Sequence, residues 1–465
     1  SLVELGLLKV RIARPAPLQE PEPASPSNPL TPLVAPVTSE SKRFQKKNSA
    51  SLHERTKVLV NSPEKPYLAP KRLGEVDHWV KWKLACLVTQ NRVRIHQIDV
   101  SVVDLILKYS RVPVFRVLER MEAMQERLFD FAKELAKALS GHPLSEHSSG
   151  TFYDLKENYS LVAHLTVSPL EIRCEGPLPE ISNRLLRGYN PLQERFVRLS
   201  FRSGFNGGTT GGSMRNVGKA AVRERIGKFL LNGFKVDAIS ALLGFERFEF
   251  LVSSPSQLRT QKAWVYCPPP VAPEGFTLPI TVQGIRNWLG SFDHIYNVAM
   301  FSARLGQGLS STYQCFEVDP SWIQRVPEVE RNGYMFSDGC ASISLNIAKR
   351  AASAMNLSYI PSAFQIRLAG IKGVVSIDPR LEGDVICVRP SMEKFKAPSQ
   401  LSFEVVTWTR PINAHLNKQI IQILSALGLP DQKLIDVQTA AFEKIAASSF
   451  PRTFKSPEER SKRID

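Results

Sequence analysis

Cationic and amide side chains recur beside small residues and predicted strand ends through the middle of this chain. They fall in ISNRLLRGYNPLQERFVRL, SSPSQLR, FSARLGQGLSST and IRLAGIKG. Guanidinium and ammonium groups pair with phosphates, and amides and hydroxyls suit phosphate and sugar oxygens. Taken singly, each residue is more often a surface charge or a hydrogen bond that holds a loop than a ligand contact. The candidate anion contacts, in chain order, are Asn183, Arg184, Arg187, Arg195, Arg198, Gln257, Arg259, Arg304, Gln307, Arg367 and Lys372.

The sequence offers no local arrangement for hydrolytic or metal chemistry. It contains neither GxSxG nor HExxH, its histidines are dispersed, and it lacks an Asp-x-Asp pair. Two-metal phosphoryl transfer needs carboxylates close enough to hold two ions about 3.5–4 Å apart. The glycine-rich stretch 203–219 is not a phosphate-binding loop either, because its spacing is wrong and Ala220 stands where Ser or Thr should follow the lysine. We therefore expect no catalytic residue and no metal ligand in this chain.

The charge balance predicts a polyanionic partner. Lys and Arg number 60 against 44 for Asp and Glu, a formal net charge of +16. Such an excess suits nucleic acid more often than an anionic membrane face, and a solvated basic surface is the simplest alternative. No stretch has the roughly 20 apolar residues of a membrane span. The six cysteines are scattered without a CxxC, which predicts reduced thiols in an intracellular protein, nuclear or cytoplasmic.

Changes in pattern along the chain divide it into regions. Residues 1–66 are rich in proline and then in basic residues, which predicts a disordered arm. Apolar residues at three-to-four spacing predict a helical region over 67–150. The period changes to two near residue 160, which predicts strands mixed with helices over 151–290. Short strands and turns follow up to 410, and residues 411–465 return to a helical pattern.

Six segments, in this order, resemble the cell-encoded RNA-dependent RNA polymerases of eukaryotic RNA silencing. Any one segment is a weak match, but six in order make a specific signal over roughly residues 155–445. The segments are LTVSPLEIRCEGP with SNRLLRGYNPLQERFVRLSF, FEFLVSSPSQLRTQKAWVY, NVAMFSARLGQGLSST, YMFSDGCASIS, QIRLAGIKGVVSIDP and LNKQIIQILSALGLPD.

The resemblance implies an α+β multidomain chain with a double-psi β-barrel at 291–410, the first of two barrels in the family's active site. It implies that Lys372 and Arg367 contact nucleotide phosphates and that the other candidates line the RNA channel. Asp338 is expected to be a turn residue. The family's aspartate-rich Mg²⁺ loop is not in this sequence, so the chain is expected to be the N-terminal half of a polymerase core. The family's Gly-Gly before the lysine is Ala369-Gly370 here.

Three functions remain open from the sequence. As part of a polymerase, the chain would help to copy single-stranded RNA into double-stranded RNA from nucleoside triphosphates, with Mg²⁺ held elsewhere. As a product of a truncated polymerase gene, it would bind RNA without chemistry. As a scaffold, it would share only the fold. No membrane partner is expected.

Overall fold

The computed structural model describes residues 67–124, 126–144, 151–168, 171–202, 224, 227, 230–410 and 416–449. The proline-rich arm and the glycine-rich stretch 203–219 discussed above lie outside these residues. The chain divides into two compact units, one ending at Trp408 and one beginning at Thr409. Each is described by itself.

The helices of the described residues follow the predicted regions. They are α1 (His78–Thr89), α2 (Val100–Lys108), α3 (Arg111–Ala123), α4 (Phe131–Leu139), α5 (Arg184–Gly188), α6 (Asp237–Leu243), α7 (Pro255–Arg259), α8 (Val282–Leu289), α9 (Val298–Leu305), α10 (Leu345–Ala354), α11 (Lys418–Ala426) and α12 (Asp431–Ser449). Short 3₁₀ segments include Asn190–Arg195 and Gly306–Leu309. None of these helices combines the length and the apolar composition that crossing a membrane requires.

The strands form two large sheets and one hairpin. They are β1 (Tyr159–Val167), β2 (Ile172–Ile181), β3 (Phe196–Phe201), β4 (Glu249–Val252), β5 (Lys262–Tyr266), β6 (Tyr313–Glu317), β7 (Ile323–Arg325), β8 (Glu330–Arg331), β9 (Tyr334–Met335), β10 (Cys340–Ile343), β11 (Ala363–Leu368), β12 (Ile371–Ile377), β13 (Ile386–Val388) and β14 (Ser402–Trp408). The first sheet has the order β2-β1-β3-β5-β4 and the second β6-β14-β11-β12-β10-β13-β7.

Both faces of the five-stranded sheet are covered, which follows from the period of two along its strands. Val197 and Val265 on one face pack with the N-terminal helices in one core. Phe196 and Trp264, each one position away, pack on the other face with α5, α8 and α9. The sheet is therefore a central layer between two helical layers, and α5 and α9 lie on the face opposite α1–α4.

The seven-stranded sheet mixes parallel and antiparallel pairs. β10 runs parallel to β12, and β7 runs parallel to β13, while β11 is antiparallel to both β12 and β14. Its core includes Phe364 and Phe403 from the sheet and Ile347 from α10. A mixed α/β architecture is confirmed; the predicted double-psi closure of this sheet stays a prediction.

The unit beginning at Thr409 contains two helices, α11 and α12. Asn417 begins α11 by accepting a hydrogen bond from the Ile420 N–H at 2.9 Å, and Ser425 donates to Asp431 at 2.7 Å between the helices. The described residues of this unit thus contain the helices α11 and α12.

Candidate nucleic-acid interface

Three charged side chains lie in a row across neighbouring strands of the seven-stranded sheet. Arg367 on β11 is opposite Glu404 on β14 and, on its other side, opposite Lys372 on β12. Ala369 and Gly370 join β11 to β12 with φ of 47° and 86°. Directly opposed residues have Cβ atoms about 5 Å apart, so the row brings two cations and one carboxylate together. The two phosphate contacts predicted from the sequence are neighbours.

The tight turn at Gly370 brings a fourth charged residue, Lys394, close to this row. A Cβ atom at Gly370 would lie 2.0 Å from the carbonyl oxygen of Phe395, so only glycine fits. This close approach lets the Lys394 N–H donate to the Gly370 carbonyl at 3.1 Å. The Lys394 amine donates to the Ser391 carbonyl. Sequence analysis missed Lys394, because only the contact of two distant segments places it here.

Lys372 faces other cations. Burial, followed by the positive charges of Arg367, Arg304 and Lys394, holds its pKa below the ordinary value. Among the described residues, neither the Lys372 amine nor the Arg304 guanidinium has a hydrogen bond or an ion pair. These cations outnumber the one nearby carboxylate, Glu404, and such an excess is costly unless an anion joins it. We call Lys372, Arg367, Arg304 and Lys394 the cationic cluster.

Arg367 is the most buried member of the cationic cluster, with 8% of its surface exposed. Its Nη1 donates to the Ile366 carbonyl at 2.8 Å, and its Nε has no hydrogen-bond partner among the described residues. Burial lowers the pKa of Arg367 to about 10, although the nearby Glu404 acts in the opposite direction. A buried guanidinium with an unused donor suits an anionic ligand.

Glu404 accepts hydrogen bonds from two arginines of α5, the helix that packs on the five-stranded sheet. Arg184 approaches through Nη2 to Oε2 at 3.0 Å and Nε to Oε1 at 3.3 Å. Arg187 donates to Oε1 at 2.6 Å and also to the backbone and side-chain oxygens of Thr312, at 2.9 and 2.8 Å. These arginines were predicted to contact RNA. In the structure both guanidinium groups tie α5 to β14 inside the fold, and their contact with RNA stays a prediction.

Asn183, Arg195 and Arg198 are also used within the fold. Asn183 is buried and accepts from the Leu186 N–H at 3.0 Å, which begins α5. Arg195 donates to the Cys267 carbonyl at 3.3 Å and stacks over the Phe245 ring. Arg198 pairs with Glu180 at 2.7 Å and lies over Trp264. Each of these three residues thus has a partner within the fold, and its contact with RNA stays a prediction.

The segment SSPSQLR contains one residue used for capping and one exposed cation. The Gln257 side chain accepts from the Ser254 N–H at 2.9 Å, and the Ser254 hydroxyl accepts from the Gln257 N–H at 3.2 Å. This reciprocal pair begins α7, and the RNA contact predicted for Gln257 stays a prediction. Arg259 is exposed, with a single contact to Ser256 at 3.4 Å, so it stays available to a ligand.

The side-chain amide of Gln307, a predicted RNA contact, is buried but makes no hydrogen bond to the described residues. It is 7% exposed, yet neither its amide nitrogen nor its amide oxygen has a partner among the described residues. Its glycine neighbours pack tightly, since a Cβ at Gly306 would lie 3.1 Å from the Cα atom of Ser254 and one at Gly308 would lie 2.6 Å from the Leu289 side chain. A buried amide without partners is costly, and a ligand would satisfy it.

Asp338 occupies a turn, as expected. The Cys340 N–H donates to the Ser337 carbonyl at 2.9 Å around Asp338 and Gly339, where Gly339 has a φ of 70°. In the described part of the chain, no group of three or more His, Cys, Asp or Glu side chains is placed to hold a metal ion. The four positive charges of the cationic cluster repel Mg²⁺, which prefers carboxylate and carbonyl oxygens as ligands.

Comparisons with known proteins agree with the motif resemblance. The profile of the family "RNA dependent RNA polymerase" matches residues 167–453, more than half of the chain. RNA-dependent RNA polymerase 6 of Arabidopsis thaliana is 34% identical over 75% of this chain and 28% of its own length. RNA-dependent RNA polymerase 1 of the same plant is 32% identical over 73% and 30%, respectively. RNA-dependent RNA polymerase 1 of Schizosaccharomyces pombe is 32% identical over 64% of this chain and 24% of its own length.

A solved structure shares the fold. RNA dependent RNA polymerase QDE-1 from Thielavia terrestris superposes with a TM-score of 0.57 at 17% identity, over 88% of this chain and 45% of that chain. The chain spans 24–30% of the length of these three curated relatives. On the strength of the profile match, the chain belongs to the RNA-dependent RNA polymerase family.

Proposed function

We propose that this chain supplies the template and triphosphate contacts of a polymerase that copies single-stranded RNA into double-stranded RNA. The observation that carries the proposal is the Lys372 amine, which neighbours three cations and pairs with no carboxylate among the described residues. Such a group is stabilised by phosphate, the anion that RNA and nucleoside triphosphates share.

In this proposal the cationic cluster binds the triphosphate. Lys372 and Arg367 contact its phosphate oxygens, and Arg304 and Lys394 add positive charge from the neighbouring segments. When a 3′-hydroxyl attacks the α-phosphate, a new O–P bond forms and the bond to the pyrophosphate leaving group breaks. Fixed cations stabilise the charge that develops on the phosphates and on the leaving group.

Arg259 and Gln307 are the proposed RNA contacts that the fold leaves available. Arg259 is an exposed cation suited to a backbone phosphate, whereas the buried Gln307 amide can both donate to and accept from a sugar or base. The finer architecture we propose for the seven-stranded sheet is the double-psi barrel, supported by its two parallel strand pairs. Mg²⁺ in this proposal belongs to carboxylates other than the described ones.

The cysteines are consistent with an intracellular location, nuclear or cytoplasmic. All six are free thiols, and Cys86, Cys174, Cys267 and Cys387 are buried. Burial raises the pKa of the Cys174 thiol to about 12, which keeps it protonated and unreactive. An intracellular setting keeps such thiols reduced, and we propose it for this chain.

Binding of ATP and of a short single-stranded RNA to the whole chain tests the proposed function. We expect both to bind at low salt, with RNA affinity falling steeply as salt rises, because each neutralised phosphate contributes about −0.7 to the slope of log K against log salt. Lys372→Ala should weaken ATP binding about tenfold or more. The proposal would be refuted if the chain failed to bind ATP or failed to bind the RNA at low salt.

Nucleotide incorporation separates the polymerase from the alternative of non-catalytic RNA binding. The whole chain is incubated with an RNA template, the four nucleoside triphosphates and Mg²⁺. RNA binding without incorporation favours the non-catalytic function for the chain alone. Incorporation that Lys372→Ala abolishes favours the polymerase.

A further inference from the structure

Glu404 is a single buried carboxylate that lies near three arginines and pairs with two of them. It is 3% exposed, it is contacted by Arg184 and Arg187 from α5, and it lies opposite Arg367 across the β14–β11 pair. Three guanidinium groups against one carboxylate leave an excess of two positive charges in a region with little access to water. Such an excess is unfavourable unless it serves an anion that arrives from outside.

Two of the three arginines donate hydrogen bonds to the carboxylate oxygens of Glu404, and the third does not. Oε1 accepts from Arg187 at 2.6 Å and from the Nε of Arg184 at 3.3 Å, while Oε2 accepts from Arg184 at 3.0 Å. Arg367 donates instead to the carbonyl of its own neighbour, Ile366, and its Nε is left without a partner among the described residues. The residue that faces Glu404 across the sheet is therefore the one that does not pair with it.

Arg187 is held in this arrangement from a second direction. It donates to both oxygens of Thr312, at 2.9 and 2.8 Å, and the Thr312 N–H donates to the Ser182 carbonyl at 3.0 Å. Thr312 is 1% exposed, so this anchor is fixed by packing. Arg187 consequently stays on Oε1, and that oxygen is not available to Arg367.

We propose that Arg184 and Arg187 are positioning residues that hold Glu404 through three hydrogen bonds, so that Arg367 stays without a carboxylate partner and can donate to a phosphate. Removal of Arg187 would release Oε1, and Arg367 would turn to the carboxylate that it already faces. The site would then lose a phosphate donor although Arg187 itself touches no ligand. This inference rests on the proposed function for its ligand and on the hydrogen bonds above for its mechanism.

A double-mutant cycle on ATP affinity tests the inference in the whole chain. Arg187→Met should weaken binding about tenfold, the usual effect of losing one charge-assisted hydrogen bond. Glu404→Gln should leave the affinity unchanged or raise it, since it removes the competing carboxylate. The double variant should recover most of the affinity that Arg187→Met loses. If the arginine matters only for folding, adding Glu404→Gln would bring no recovery, and the inference would be wrong.

A matched control separates positioning from the general loss of a paired arginine. Arg198 pairs with Glu180 at 2.7 Å in the five-stranded sheet and is not part of the cationic cluster. Arg198→Met should leave ATP affinity unchanged, with a comparable loss of stability by thermal melting. If Arg187→Met does not fold, the ATP affinity of Glu404→Gln still tests the inference. A purely structural role of the ion pairs predicts weaker ATP binding by Glu404→Gln, whereas the positioning role predicts unchanged or tighter binding.

A second measurement needs no ligand. In a chain labelled with ¹⁵N-arginine, the signal of the buried Arg367 Nε–H, assigned by its absence in Arg367→Met, should have the chemical shift of a guanidinium without a carboxylate partner. In Arg187→Met it should shift as an ion pair with Glu404 forms. If ATP fails to bind but this change occurs, the proposed function falls and the positioning role stands. If ATP binds and the signal does not change, the positioning role falls alone.

Discussion

Arg184 and Glu404, 220 residues apart in sequence, form a buried ion pair through two hydrogen bonds of 3.0 and 3.3 Å. The pair joins α5, on one face of the five-stranded sheet, to β14 in the seven-stranded sheet. It therefore connects the two sheets beside the cationic cluster, and its integrity decides how that cluster is arranged.

Loss of the carboxylate should be severely destabilising. Glu404→Ala would leave two buried arginines without their anion, and breaking a buried pair from one side costs about 3–5 kcal/mol. The measurement is the free energy of unfolding in urea. Glu180→Ala is the matched control, because its carboxylate is 23% exposed and water can solvate the remaining His164 and Arg198. Equal losses in the two variants would contradict the central role of Glu404.

Lys372 should oppose folding while it supports binding. Burial and three neighbouring cations lower its pKa, so its charged form is unfavourable in the free protein. Lys372→Met should melt at or above the wild-type temperature and bind ATP about tenfold more weakly. Lys83→Met is the contrasting control, since Lys83 is buried and pairs with Glu122 at 2.7 Å, and its loss should lower the melting temperature. A lower melting temperature for Lys372→Met would contradict the prediction.

ATP affinity should fall at alkaline pH. In the free protein the pKa of Lys372 lies below 10.5 and that of Arg367 is about 10, whereas bound phosphate would favour both charged forms and raise both values. Affinity is then complete below the free-protein pKa values and is lost as pH rises through them. ATP does not confuse the result, because its terminal phosphate ionises with a pKa of about 6.

Titration calorimetry between about pH 8 and about pH 11.5, a range that extends beyond the Arg367 pKa of about 10, measures this dependence. Lys372→Arg keeps its charge to higher pH, so its affinity should begin to fall later than that of the wild type. Constant wild-type affinity over the whole range would show that these groups do not contact the phosphates.

The turn at Gly370 should tolerate no side chain. Gly370→Ala would place a Cβ atom 2.0 Å from the Phe395 carbonyl at a φ of 86°, so the β11–β12 turn and the adjoining Lys394 would both have to move. Gly383→Ala separates strain from collision, because Gly383 has a φ of 71° and nothing within 4 Å of its added Cβ.

The control substitution should cost about 1–2 kcal/mol from backbone conformation alone. Gly370→Ala should cost clearly more and should also weaken ATP binding, as measured by urea unfolding and calorimetry. Similar losses of stability in the two variants would mean that the contact with Phe395 is readily relieved.

The sequence alone determined the family, the order of helices and strands, and the pair Arg367 and Lys372. Those features depend on local patterns: Val197 and Phe196 alternate because strands repeat every two residues, and the motif IRLAGIKG lies on one hairpin. The sequence did not reveal which of the other cationic side chains lack a carboxylate partner. Arg198 looked like Arg304 in sequence, yet Arg198 has Glu180 as its partner and Arg304 has none among the described residues.

Only the tertiary structure decided those roles. Whether a charged side chain forms an internal ion pair or stays available to a ligand depends on the residues that the chain topology places beside it. Glu404 lies in an ordinary alternating strand and gives no signal of its own, but it engages Arg184 and Arg187 from across the molecule. Lys394 joins the cationic cluster because the turn at Gly370 contacts a distant segment. Hydrophobic periodicity acts over a few residues, whereas ion pairing and desolvation act through space, so the sequence reveals the elements before it reveals the site.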